Sequence, residues 1–197
     1  MIYETLQILK EELEAYFMEA GLGKVVVLDN IAMWDYESED DTRFKDRVVI
    51  TLLKMEEETT LKNIPTTRVV NEQTETRNAP VHLNVFVLIS ANFGKYDTAL
   101  IHLSQVIEFF QGKKIFTTAN TVYDRNNVAF QDISFFRFNV ELVTPDFEAL
   151  NYVWGTLGGR QLPSVIYKIQ LIEIERRRKL KAGRPVIRIS GEFKDKT

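Results

Sequence analysis

The ten residues Val81–Ser90 (VHLNVFVLIS) constrain the fold most. Apolar side chains fill both parities toward the end of this run, so a strand here must be covered on its two faces. Two further apolar runs, Val48–Met55 (VVITLLKM) and Ser164–Glu175 (SVIYKIQLIEIE), are long enough to lie beside it, and Lys24–Leu28 (KVVVL) reads as a short buried strand. Ile133–Val143 alternates from Phe136 through Phe138 and Val140 to Leu142, with Arg137, Asn139 and Glu141 opposite, which predicts a strand exposed on one face. Short strands are expected at Ile115–Thr117 and near Asn127–Phe130.

Three helices can supply the cover. Residues 2–20 place Ile2, Leu6, Leu9, Leu13, Phe17 and Ala20 at helical spacing, and Gly21 and Gly23 stop the pattern. Tyr96–Gln111 carries Tyr96, Leu100, Leu103, Ile107 and Phe110 as its expected buried stripe, widened by Ala99 and Val106. Thr144, Pro145 and Asp146 form a helix start, with Thr144 as the expected N-cap. Phe147, Leu150, Trp154 and Leu157 follow as that helix's stripe, and Gly158-Gly159 ends it. The predicted fold class is α+β, a mixed sheet of about five strands covered by three helices.

The segments between these elements are charged. Asp35, Glu37, Glu39, Asp40 and Asp41 lie within residues 29–47, which read as a solvated loop. Residues 56–80 are polar, with Pro65 and Pro80 and no clear element; loops of that length often bind or reach. After the last long strand, Arg176, Arg177, Arg178, Lys179, Lys181, Arg184 and Arg188 occur with no acid among them. The expected organisation is one domain over 1–178 and a basic extended tail over 179–197, with a β-compatible run at Pro185–Ile189 that suits addition to a partner's sheet edge.

Composition removes most chemistry. The 197 residues are 45% hydrophobic and 27% charged, an ordinary balance for a globular protein. Cysteine is absent, which excludes disulfides, thiolate nucleophiles and cysteine-ligated metals. A net charge of −3 argues against a nucleic-acid binder that relies on phosphate contacts, and no aromatic residue interleaves the basic run to stack on bases. The amino terminus has acids spread through it and no basic region before an apolar run, so no signal peptide is expected, and no stretch is apolar enough to insert in a membrane.

No phosphate-binding glycine motif occurs; Gly158-Gly159 sits at the wrong end of a helix pattern to cradle an anion. His82 and His102 are too few for a zinc site and read as structural residues. Ser90 has no nucleophile-elbow pattern around it. The acids at 35–41 lack the spacing of a calcium loop. No catalytic, cofactor-binding or metal residue is therefore assigned. The charged runs remain: Asp35, Glu37, Glu39, Asp40 and Asp41 on one side, and the seven basic residues from Arg176 to Arg188 on the other, as candidate partner contacts or as plain solvated charge.

Two blocks resemble a known family. They are residues 80–111 (PVHLNVFVLISANFGKYDTALIHLSQVIEFFQ) and 138–175 (FNVELVTPDFEALNYVWGTLGGRQLPSVIYKIQLIEIE), with a lesser match at MEEETTLKN, residues 55–63. Leu83-Asn84, Ser90-Ala91-Asn92-Phe93, Leu103-Ser104, Phe109-Phe110-Gln111, Trp154 with Leu157-Gly158, and Leu162 to Tyr167 carry the likeness. Together with the first helix they resemble the amino-terminal domain of the cap, or tail-terminator, proteins of phage-tail-like contractile injection systems such as the antifeeding prophage. The resemblance implies a non-enzymatic role without cofactors. It implies a homohexameric ring on the baseplate-distal end of the particle that stops growth of inner tube and sheath. Synthesis in a bacterial cytoplasm, followed by incorporation into a particle that can be released, belongs to the same implication. A sheath- or baseplate-associated adaptor of the same particle is the alternative within assembly proteins, and a small hydrolase the alternative outside them.

Overall fold

A computed structural model describes residues 2–36, 42–58, 67–70, 73–76, 81–124, 127, 130, 135–174 and 181–183. Helix α1 (Ile2–Glu19) leads into β1 (Val26–Leu28), a 3-10 turn (Ile31–Tyr36) and β2 (Arg47–Glu57). The hairpin β3 (Thr67–Val70) and β4 (Gln73–Thr76) precedes β5 (Val81–Asn92) and α2 (Tyr96–Gly112). Then come β6 (Ile115–Thr117), β7 (Arg137–Val143), α3 (Phe147–Thr156), β8 (Ser164–Ile174) and β9 (Lys181–Gly183).

The main sheet has six strands in the order β1-β2-β5-β8-β7-β6. Only β1 and β2 are parallel neighbours; the other pairs are antiparallel. The α+β class with three helices stands as expected, and short β6 raises the strand count from about five to six. Strand parity divides the core in two. Val48 and Ile50 of β2, Val85, Val87 and Ile89 of β5, and Tyr167 and Ile169 of β8 pack with α1 and α2 on one face. Val49, Leu88 and Ile166 point the other way, toward Trp154 and Leu157 at the end of α3 and toward Ile31 and Phe44. The central strand is thus covered on both sides, as its double-parity apolar pattern requires.

The acid-bearing segment 29–47 is not wholly solvated, because apolar residues bracket the acids. Ile31 and Phe44 are fully buried and close the second core layer. The Ile31 amide donates to Thr51 Oγ1 at 3.0 Å, while that hydroxyl donates to the Asp29 carbonyl at 2.7 Å, which pins the turn to β2.

The stretch 56–80 also differs from expectation. Strand β2 continues through it to Glu57, and β3 and β4 pair within it. A second, three-stranded sheet results, in the order β3-β4-β9. Its strands continue β2, β5 and β8 in the same lateral order: β3 follows β2, β4 precedes β5, and β9 follows β8. Such strands carry little apolar signal, since TRVV and QTET read as polar turn sequence without their partners. The expected strand near Asn127–Phe130 is instead bridged by a turn hydrogen bond from the Phe130 amide to the Asn127 carbonyl at 2.9 Å. Strand β7 begins at Arg137, after Phe136 has turned into the core and Phe135 outward.

Candidate functional surface

Of the two histidines, His102 has a structural role. His102 is buried on α2; its Nδ1 lies 2.8 Å from the Thr98 carbonyl and its ring stacks on Phe93 at 4.1 Å. His82 sits at the start of β5, opposite Glu173. Ser90 is 0% exposed, so no substrate can reach it, and its Oγ has no hydrogen-bond partner among the described residues. No group of three or more metal-ligating side chains occurs among the described residues.

The charged runs are only partly in view. Asp35 is in the 3-10 turn, whereas Glu37, Glu39, Asp40 and Asp41 lie outside the described residues. Of the basic run, Lys181 is in β9, its backbone in register with Thr76 of β4. Arg176, Arg177, Arg178, Lys179, Arg184 and Arg188 lie outside the described residues, as does the run Pro185–Ile189.

A different surface is well defined, and it comes from a correction to α2. The helix buries Ala99, His102, Val106, Phe109 and Phe110. Part of the expected stripe is displaced from the core: Tyr96 is 69%, Leu100 42% and Ile107 40% exposed, whereas Phe110, Ala99 and Val106 are buried as expected. On a 3.6-residue helix the buried and exposed apolar sets are centred about 100° apart, so α2 has two apolar faces and its own sheet takes one. The other borders a groove. At one end Leu103, Leu162 and Pro163 join Tyr96 and Leu100. At the other, Ile107 and Phe110 of α2 face Val140 and Leu142 of β7 and Tyr167 of β8 around a cavity of about 500 Å³.

Local structure explains why that end stays open. The Val140 amide donates to the Lys114 carbonyl at 2.8 Å, and the pairing of β6 with β7 ends at Asn139. Beyond Val140 the outer side of β7 has no partner strand among the described residues. Leu142 shares the parity of buried Phe138 and Val140, yet is 52% exposed among the described residues. Tyr167 floors the cavity. Burial pushes its phenol up to about 12, and the hydroxyl has no hydrogen-bond partner among the described residues.

The opposite face of the sheet carries α3. Its cap is Asp146 and not Thr144: the Asp146 carboxylate accepts from the Ala149 amide at 2.8 Å. The helix ends as expected, with Gly158 and Gly159 at φ of 103° and 81°. Trp154 and Leu157 are buried and Leu150 half-buried, but Phe147, expected in the same stripe, is 92% exposed. The cap lies two residues later than expected, so Phe147 is the first helical residue.

These features define a class: an α+β domain built on a six-stranded mixed sheet, with apolar side chains exposed on α2, β7 and α3. The chain belongs to the Pvc16 N-terminal domain family, which it matches over residues 4–188, a span that reaches into the basic run. It is similar in structure to the sheath/tube terminator, in its extended state, of a PVC extracellular contractile injection system. That likeness has a TM-score of 0.66 and 16% identity and covers 100% of this chain and 64% of the other. It is likewise similar to the tube-terminating cap of the anti-feeding prophage, with a TM-score of 0.65 and 16% identity over 98% of this chain and 62% of the other. The chain thus spans less than two thirds of the length of either. No curated protein is detectably similar in sequence. No helix among the described residues is long and apolar enough to cross a membrane.

Proposed function

We propose that this chain is a structural cap that closes the baseplate-distal end of a contractile injection particle and ends growth of its tube and sheath. The observation that carries this reading is the match of nearly the whole chain, in fold, to two terminators of such particles. The surface agrees with it. A terminator must match the last layer of a polymer and offer the next layer nothing to bind, which calls for complementary faces and not for a reaction centre. In this reading the chain is made in the bacterial cytoplasm and leaves the cell, where it does, as part of the particle.

The cap acts as a ring of six copies. A ring joins each copy head-to-tail to the next, so two different surfaces of one chain must fit each other. A hexamer has a mass of about 140 kDa, against 22.9 kDa for one copy. The acids from Asp35 to Asp41 and the bases from Arg176 to Arg188 are assigned to contacts with neighbouring copies or with the terminal sheath layer. Since β9 pairs with β4, deletion of 179–197 would also strip the small sheet of a strand. Removal of 184–197 is the cleaner test of the tail, and particles of normal length after that removal would take those residues out of the mechanism.

The deciding experiment is electron microscopy of particles assembled without this chain. Overlong or ragged tubes and sheaths are expected. Uniform length with intact ends would refute the reading.

A further inference from the structure

We propose that Phe147 of one copy seats in the α2–β7 groove of the next copy, with Glu148 of the first meeting Lys114 of the second at the rim. The inference rests on the ring reading above and names its contact.

Three observations support it. First, the chain carries a knob and a hole of matching chemistry. Phe147 is the most exposed large apolar residue among those described, at 92%, and the cavity walled by Ile107, Phe110, Val140, Leu142 and Tyr167 measures about 500 Å³. An aromatic anchor that fills a desolvated pocket is the common form of an interface hot spot. The Phe110 and Tyr167 rings, 4.4 Å apart, offer an aromatic surface for it to pack against.

Second, the two features lie on opposite faces of the main sheet. Val140 and Tyr167 belong to the core layer of α1 and α2, and α3 packs its Trp154 into the other layer. A head-to-tail contact needs such an arrangement, since a copy then uses one face toward each neighbour. A two-fold dimer through the groove alone would leave Phe147 bare.

Third, the groove carries both Lys114 and Glu141; the Glu141 carboxylate accepts from Gln170 Nε2 at 2.7 Å, which leaves Lys114 as the charge open to a neighbour. Lys114 lines the groove and has no ion pair among the described residues. Phe147 stands between Asp146 and Glu148; Asp146 is occupied as the helix cap, and Glu148 is exposed, accepting one hydrogen bond from the Tyr152 hydroxyl at 3.3 Å. Glu148 is thus the carboxylate available to Lys114.

The absence of cysteine makes the test direct. Leu142→Cys and Phe147→Cys are made as separate full-length chains, both at exposed positions, mixed in equal amounts and oxidised. The mixture is expected to give a disulfide-linked dimer at several times the yield of either chain alone. Phe147→Ala is expected to weaken self-association about 30-fold, the effect of an anchor residue, with no change in thermal unfolding. Lys114→Glu and Glu148→Lys each weaken it, and the double exchange restores it. In capped particles, a photo-cross-linker on Leu142→Cys should capture the segment around Phe147 of another copy.

Copies that associate without the mixed cross-link overturn the contact and leave the cap reading standing. Capture of a tube or sheath subunit at Leu142 does the same. Chains that neither associate nor sit on particle ends overturn both.

Discussion

Helices α1 and α2 lie on the same face of the same sheet and touch through Tyr16 and Phe109, whose rings are 5.4 Å apart. Both are amphipathic by sequence. In α1 the periodic residues Leu6, Leu9, Leu13 and Phe17 are all buried, with Thr5, Ile8 and Glu12 beside them. In α2 the expected stripe divides: Tyr96, Leu100 and Ile107 are exposed toward the groove, while Phe110 is buried together with Ala99, His102, Val106 and Phe109. A helix with one apolar face has a single way to sit on a sheet. A helix with two faces has a choice, and its own core can satisfy only one. Periodicity shows that a face is apolar; it does not say whether that face belongs to the monomer or to what the monomer meets.

The comparison breaks most sharply at Phe17, which is 0% exposed and meets the edge of His102 at 5.7 Å. Phe17→Ala should cost about 3–5 kcal/mol by chemical denaturation. A loss below 1 kcal/mol would mean that α1 is no better seated than the outer stripe of α2. Tyr167, on the groove floor, probes the same contrast by pH. Its phenol is raised to about 12, so between pH 10 and 12 the folded state holds a proton that the unfolded chain releases. Stability therefore falls as pH rises through that window, by up to roughly 2–3 kcal/mol. Tyr167→Phe should flatten the fall in denaturation curves taken at pH 9 to 12.

Smaller effects sharpen the contrast. Asp146→Ala should destabilise by about 1 kcal/mol through loss of the α3 cap, whereas Thr144→Ala should change stability little. Two residues of α2, one on each apolar face, provide the finest test. Val106→Ala, in the core, should cost about 1–3 kcal/mol, and Leu100→Ser, on the outer face, less than about 0.5 kcal/mol. If Leu100→Ser leaves the monomer intact and still weakens assembly, the second face belongs to a partner.

The same contrast shows what could be read in advance. The α+β class, the long central strands and the start and end of α1 and α2 were legible because burial on one or both faces leaves a period in the residues. The double glycine after α3 was legible because few residues adopt positive φ cheaply. Thr144 and Asp146 both have capping oxygens, and only the backbone path selects between them. Strands β3, β4 and β9 were hidden because short polar strands are held by ladder partners, and those partners are remote in sequence. The groove was hidden for a related reason: its lining comes from α2, β7 and β8, and its residues looked like core. The signal was present all the same. Residues 96–110 hold Tyr96, Ala99, Leu100, Ile101, Leu103, Val106, Ile107, Phe109 and Phe110, more apolar side chains than one face of a four- or five-turn helix can turn inward.

The small sheet repeats the lateral order of β2, β5 and β8, and each of its strands is joined by chain to its counterpart among those three adjacent strands at the middle of the main sheet. A load on the small sheet therefore enters the main sheet at three neighbouring strands and not at the edge strands β1 and β6. The hydrogen-bond ladders between those three strands resist it together.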